Sequence, residues 1–183
     1  MGVWWQLTDL TGWCKLHQYE AFALLNEILE RRGSSEFGRV CQIMLGFSFI
    51  GTGYQVTTMQ LSGRPDIVAI RPPESLAIEV KTSTTNKIPL KKEDLTGEAG
   101  SFSKSLIAVL TFPAVPLRWL FIQTANLRAG VHSKTSLEVR SEHSIGEALT
   151  NQFLVELERY RLPIQEGTDI LLQTFRQIQD KYA

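Results

Sequence analysis

The 183-residue sequence predicts a single α/β domain, a mixed central sheet flanked by helices. Three observations carry this reading. Two stretches of helical periodicity lead the chain, three short alternating apolar runs follow, and two more helical stretches close it. With 43% hydrophobic residues, the chain has apolar surface enough for a core of its own.

Residues 17–32 place Tyr19, Phe22, Ala23, Leu25, Ile28 and Leu29 at helical spacing, with Glu and Arg between them, and Gly33 closes that helix. Ser34 and Ser35 open a second helix ahead of Glu36, in which Phe37, Val40, Cys41, Met44 and Phe47 keep the period to about Gly46. Gly51 and Gly53 then break the chain. Residues 54–59, 65–70 and 76–82 read as three consecutive strands, separated by Gly, Pro or Ser and able to form a meander. Residues 102–110 predict a helix that crosses back to residues 119–124, a short apolar run expected as a buried parallel strand. Residues 137–140 suggest a small edge strand, and residues 145–160 and 169–182 are expected as terminal helices.

The formal net charge is zero but unevenly spread. Residues 1–80 carry six Lys or Arg against eight Asp or Glu, residues 81–140 carry nine against four, and residues 141–183 carry four against seven. The basic middle segment is compatible with a polyanionic partner. The sequence has no run of about eighteen apolar residues and no basic-then-apolar start, so neither membrane spanning nor export is expected, and the predicted location is cytoplasmic. Cys14 and Cys41 lack metal-ligand spacing and lie in apolar-rich segments, which suits small buried thiols rather than a disulfide framework.

The stretch GRPDIVAIRPPESLAIEVKTS, residues 63–83, sets ionisable groups into apolar strands. Side chains alternate along a strand, so Leu76, Ile78 and Val80 share one face while Ala77, Glu79 and Lys81 share the other. Asp66 opens the preceding strand directly after Pro65, and the short connection through Pro72 and Pro73 makes the two strands neighbours. Two carboxylates and an ammonium are thereby expected to converge. Nearby carboxylates repel and lose hydration, and a divalent cation compensates; Mg²⁺ takes such oxygen ligands and activates water against a phosphodiester. Taken singly, an Asp at a strand start also suits a turn, and Glu-x-Lys also suits a surface ion pair. The apolar flanks Ile67, Val68, Ile70, Ile78 and Val80 instead imply covered strands.

RPDIVAI, followed thirteen positions after its Asp by EVK, resembles the PD-(D/E)xK phosphodiesterase superfamily, of restriction-endonuclease-like fold. The pattern of a glutamate helix, a glycine-rich turn, a strand, PDIVA and LAIEVKTS is most similar to archaeal-type Holliday junction resolvases and to some restriction and homing endonucleases. It covers residues 34–95, with residues 119–124 fitting a later core strand. The resemblance implies that Asp66 and Glu79 ligate Mg²⁺, for which Mn²⁺ can substitute, that the Val80 carbonyl is a further ligand, and that Lys81 is the catalytic lysine. It also implies that Glu36, on the first core helix, helps bind the metal or its water; the same glutamate suits the helix dipole. On this basis residues 34–125 form the catalytic core, 1–33 an N-terminal extension with a helix, and 126–183 a C-terminal helical region.

The activity implied is that of a metal-dependent DNA endonuclease acting on duplex or branched DNA, of restriction, homing or junction-resolving type, as a homodimer or higher symmetric oligomer. A catalytically silent DNA- or protein-binding module, or a nuclease for RNA or single strands, shares the same fold expectation. Lys87, Lys91 and Lys92 follow the EVK strand, and Arg39 and Arg64 flank the carboxylate positions, so these are candidate phosphate contacts. The polar loop at residues 126–136 adds Arg128, His132 and Lys134; His132 has no second histidine at zinc-ligand spacing. Trp4, Trp5 and Trp13 crowd the N-terminus, a composition suited to core or interface packing or to stacking on bases.

Overall fold

A computed structural model describes residues 9–58, 65–96 and 102–182. Helix α1 (Asp9–Gly51) is two helical limbs joined at Gly33, whose φ of 80° and ψ of 175° belong to backbone that only glycine adopts readily. This is the predicted break, and the second limb continues past Gly46 because Phe47 and Phe49 are buried. Three antiparallel strands follow: β1 (Gln55–Thr58), β2 (Ile67–Arg71) and β3 (Glu74–Ser83). They form the expected meander. Next come β4 (Lys87–Leu90), the short helix α2 (Lys92–Thr96), β5 (Lys104–Thr111), β6 (Trp119–Gln123), β7 (Gly130–Ser133), α3 (Lys134–Glu138), α4 (His143–Arg159), α5 (Arg161–Glu166) and α6 (Thr168–Tyr182).

The main sheet has the order β1-β2-β3-β5-β6, and β4 pairs with β7 as a separate antiparallel ribbon. The expected helix over residues 102–110 is instead β5, parallel to β3 and interior to the sheet, between β3 and β6. Its apolar run is buried on both faces, so it has no polar side from which a period can be read. Leu106, Ala108 and Leu110 join the core beneath the helices, while Ile107 and Val109 join a second core beneath the ribbon. β6 is antiparallel to β5, not parallel as expected, because the link through residues 112–118 is too short for a crossover. The parallel connection is the one between β3 and β5, and it carries β4 and α2. The expected edge strand at residues 137–140 is also absent: Lys134–Glu138 is helical, and the Ser133 hydroxyl accepts a hydrogen bond from the Ser136 N–H at its start.

One sheet face packs against α1, α4 and α6, and the other against the β4–β7 ribbon and α3. Helix α4 turns Leu149, Phe153, Leu154 and Leu157 into the first core at helical spacing, each contributing about 1.5–3 kcal/mol by burial. The β6 edge is closed by two side-chain hydroxyls and one backbone amide rather than by another strand. Trp119 N–H donates to Thr150 Oγ1 at 2.9 Å, Phe121 N–H donates to Ser141 Oγ at 3.1 Å, and Glu142 N–H donates to the Phe121 carbonyl at 2.8 Å. Cys41 is fully buried in the helical core, and burial pushes its thiol pKa up. No described helix is long and apolar enough to cross a membrane.

Candidate active site

Asp66 stands one residue before the first paired residue of β2. Pairing between β2 and β3 runs from Ile67 against Ile78 to Arg71 against Glu74, so from Glu79 onward β3 has left β2 behind and keeps β5 on its other side. Asp66 turns its carboxylate into this widening gap, where Oδ2 accepts a hydrogen bond from the Val80 N–H at 2.8 Å. A strand residue presents its N–H and C=O to the same edge, so the Val80 carbonyl points toward Asp66 as well. The Val80 side chain packs against the helical core.

Glu79 and Lys81 leave β3 on the opposite face. Their partners across the parallel pairing, Ile107 and Val109, belong to the core beneath the ribbon, so both charged side chains lie on the ribbon side. Lys81 Nζ sits 2.8 Å from Glu79 Oε1 and 3.0 Å from Asp94 Oδ1. Asp94 comes from α2, is only 10% exposed, and is fixed by its second oxygen, which accepts the Lys91 N–H at 2.7 Å. Sequence reasoning did not single out Asp94, which reaches Lys81 from the connection between β3 and β5.

The charges of this group are unbalanced. Burial raises the pKa of Asp66, against the opposing pull of the Val80 N–H and of Lys81, and the Asp94 charge adds to the rise. Glu79 is raised by burial and by the charges of Asp66 and Asp94, against its hydrogen bond from Lys81. Burial acts to lower Lys81, but the hydrogen bonds and charges of Glu79 and Asp94 outweigh it and hold the ammonium protonated. Three carboxylates therefore share one ammonium, an electrostatic surplus suited to a cation. Among the described residues no group of three or more His, Cys, Asp or Glu is placed to hold a metal. A donor set of Asp66, Glu79 and the Val80 carbonyl, completed by water and phosphate oxygens, nevertheless fits Mg²⁺, which commonly takes only one or two protein carboxylates.

Helix α1 meets this site through Gly38 and Gln42, one turn apart. A Cβ at Gly38 would lie 3.2 Å from Thr82 Oγ1, so glycine permits the close approach to β3, and Gln42 Nε2 donates to the Asp66 carbonyl at 3.4 Å. Glu36 precedes Gly38 by two residues, roughly 200° around the helix, and faces the other way. It accepts a hydrogen bond from the Thr168 hydroxyl at the start of α6 and lies 3.7 Å from Arg39. The structure does not bring Glu36 to Asp66 and Glu79.

A family profile described as archaeal Holliday junction resolvase (Hjc) matches residues 52–157, more than half of the sequence. The chain belongs to the archaeal Holliday junction resolvase family. Among solved structures, Hjc from Archaeoglobus fulgidus, a Holliday junction resolvase from an archaeal hyperthermophile, is similar with a TM-score of 0.50 at 19% identity, covering 59% of this chain and 93% of that one. That likeness establishes the shared nuclease fold, the restriction-endonuclease-like class expected from the PD-(D/E)xK pattern. No curated protein matches the sequence. The resolvase profile spans Asp66, Glu79, Lys81 and Asp94 but begins after Glu36.

The remaining candidate residues are dispersed. Lys87, Lys91 and Lys92 are exposed around β4 and the start of α2. Lys87 lines an open cleft between α1 and the end of β3, with Ser34, Ser35, Thr82 and Thr84. Arg128 is exposed, His132 Nε2 donates to the Arg128 carbonyl at 2.8 Å, and Lys134 pairs with Glu138 at 3.5 Å. Arg64, Trp4 and Trp5 lie outside the described residues, as do the side chains of Trp13 and Cys14.

Proposed function

We propose that the protein is a Mg²⁺-dependent endonuclease that hydrolyses phosphodiester bonds at four-way DNA junctions and acts as a symmetric homodimer. The observation that carries this reading is the meeting of Asp66, Glu79 and Lys81 where β3 leaves β2, in a chain of the resolvase family. Asp66, Glu79 and the Val80 carbonyl would hold the metal, which when bound supplies a more acidic water and counter-charge for the phosphodiester. Lys81 holds its proton between Glu79 and Asp94 and presents an ammonium to the negative charge that develops on the attacked phosphate. Asp94 keeps that ammonium in place when Glu79 is engaged elsewhere. The hydroxyls of Ser34, Ser35, Thr82 and Thr84, with Lys87, offer neutral and charged donors to the adjoining DNA backbone. Junction resolution needs two cuts related by symmetry, and a twofold dimer provides two sites in that relation.

The test compares cleavage and binding of a four-way junction in Mg²⁺, Mn²⁺, Ca²⁺ and chelator. Cutting is expected in Mg²⁺ and Mn²⁺. In Ca²⁺, whose longer and less regular coordination fills the site without aligning water, binding should survive and cutting should fail. Equal cutting in chelator contradicts a catalytic metal site. Binding without cutting in any ion favours a silent binding module of the same fold.

A further inference from the structure

At the β7 side of the β4–β7 ribbon, a second cleft of about 510 Å³ is lined by Asn126, Leu127, Arg128, His132 and Arg140. No carboxylate lines it. Leu127 is anchored in the core under the ribbon. The walls are pinned by backbone carbonyls: Arg140 Nη1 donates to the Asn126 carbonyl at 3.0 Å, and His132 Nε2 donates to the Arg128 carbonyl at 2.8 Å. These bonds orient the side chains but neutralise no charge. Arg128 has no ion pair or side-chain hydrogen bond among the described residues, and Arg140 uses one guanidinium nitrogen only. Two guanidinium groups lining one open cleft without a carboxylate favour the oxygens of a phosphate over a neutral ligand.

Its place in the fold gives the phosphate a source. The ribbon covers the same sheet face from which Glu79 and Lys81 project. Across the ribbon, Lys87 pairs with Ser133 and Ile88 with His132, and side chains alternate, so Lys87 points outward while His132 shares the sheet-facing side with the buried Ile88. The arginine cleft therefore opens at the β7 side of the ribbon, where Arg128 is exposed to a passing nucleic-acid backbone. We infer that Arg128, Arg140 and His132 form a second phosphate site, which holds the backbone of a DNA arm at the β7 side of the ribbon. This rests on the junction-nuclease reading for the DNA arm, but not for the affinity for phosphate.

The double variant R128A/R140A tests it, with two measurements. The first is binding and cleavage of a four-way junction over a range of salt. The slope of log affinity against log salt should become shallower by about two, affinity should fall about 10- to 100-fold at low salt, and the loss should appear in KM rather than kcat. An unchanged slope and affinity, or a loss confined to kcat, overturns the inference. The second follows the Arg128 and Arg140 guanidinium NMR signals of the wild-type chain during titration with inorganic phosphate and, separately, with duplex DNA. Both titrations should move these signals. If neither does, the cleft is no phosphate site; if phosphate alone does, it is not a DNA contact. If duplex DNA moves them while wild type neither binds nor cuts the junction, the proposed function fails and the phosphate site stands.

Discussion

Lys81 keeps its proton because two carboxylates hold it, and only one of them, Glu79, belongs to the proposed metal site. Asp66→Asn, Glu79→Gln and Lys81→Ala are each expected to lower junction cleavage by about a hundredfold or more with the fold retained, checked by single-turnover rates beside circular dichroism. Asp94→Asn tests the other holder. It should lower kcat by about tenfold with little change in KM, because Asp94 acts on Lys81 and not on the DNA. A change in KM alone would place Asp94 in DNA binding. Burial also makes a stability prediction. The native state raises the Asp66 carboxyl, so the stability linked to its proton is full below the unfolded carboxylate range and is lost as pH rises through the raised native value. In chelator, Asp66→Asn should therefore unfold at a higher temperature than wild type at neutral pH, and the gain should shrink on acidification. An Asp66→Asn protein less stable than wild type at neutral pH contradicts the buried-charge account.

Elements differ in how plainly the sequence announces them. The two limbs of α1 and the long C-terminal helices each have one polar face, so their periods show, while the meander strands are marked off by Gly, Pro and Ser between them. β5 is sandwiched between two cores and has no such face, which is why its residues read as a helix. The ribbon is missed for the opposite reason, since β7 is four mostly exposed residues that pair only with a distant segment. The same division applies to the site. Asp66, Glu79 and Lys81 are legible because alternation and one short connection place them together. Asp94 arrives on a short helix without a period. The rotation of Glu36 away from β3 depends on which face of α1 Gly38 allows to approach, a packing choice that spacing does not encode. Gly33 is testable at this scale. Gly33→Ala forces a side chain into backbone reserved for glycine and should cost about 1–3 kcal/mol, a fall of several degrees in Tm by calorimetry, although open space surrounds the position. No change in Tm would mean that the two limbs of α1 can join by another route.

At the scale of the molecule, one sheet serves two purposes. Its helical face carries the larger core, in which α1, α4 and α6 bury Phe47, Phe153 and Phe175. Its other face carries a smaller core capped by the ribbon, and there the charged side chains of β3 emerge beside the most basic part of the sequence. The proposed site residues Glu79 and Lys81 thus lie on the side of the sheet away from the main core and can be replaced without opening it. The measurement that bears most directly on the central claim is cleavage of matched four-way junction, linear duplex and single-stranded DNA in Mg²⁺, with the cut positions mapped on every strand. Paired cuts at symmetric positions on two opposed strands of the junction, with the duplex and single strand cut far more slowly and Asp66→Asn inactive on all three, are the result predicted. Equal or faster cutting of the linear duplex or single strand, or full activity in Asp66→Asn, would contradict it.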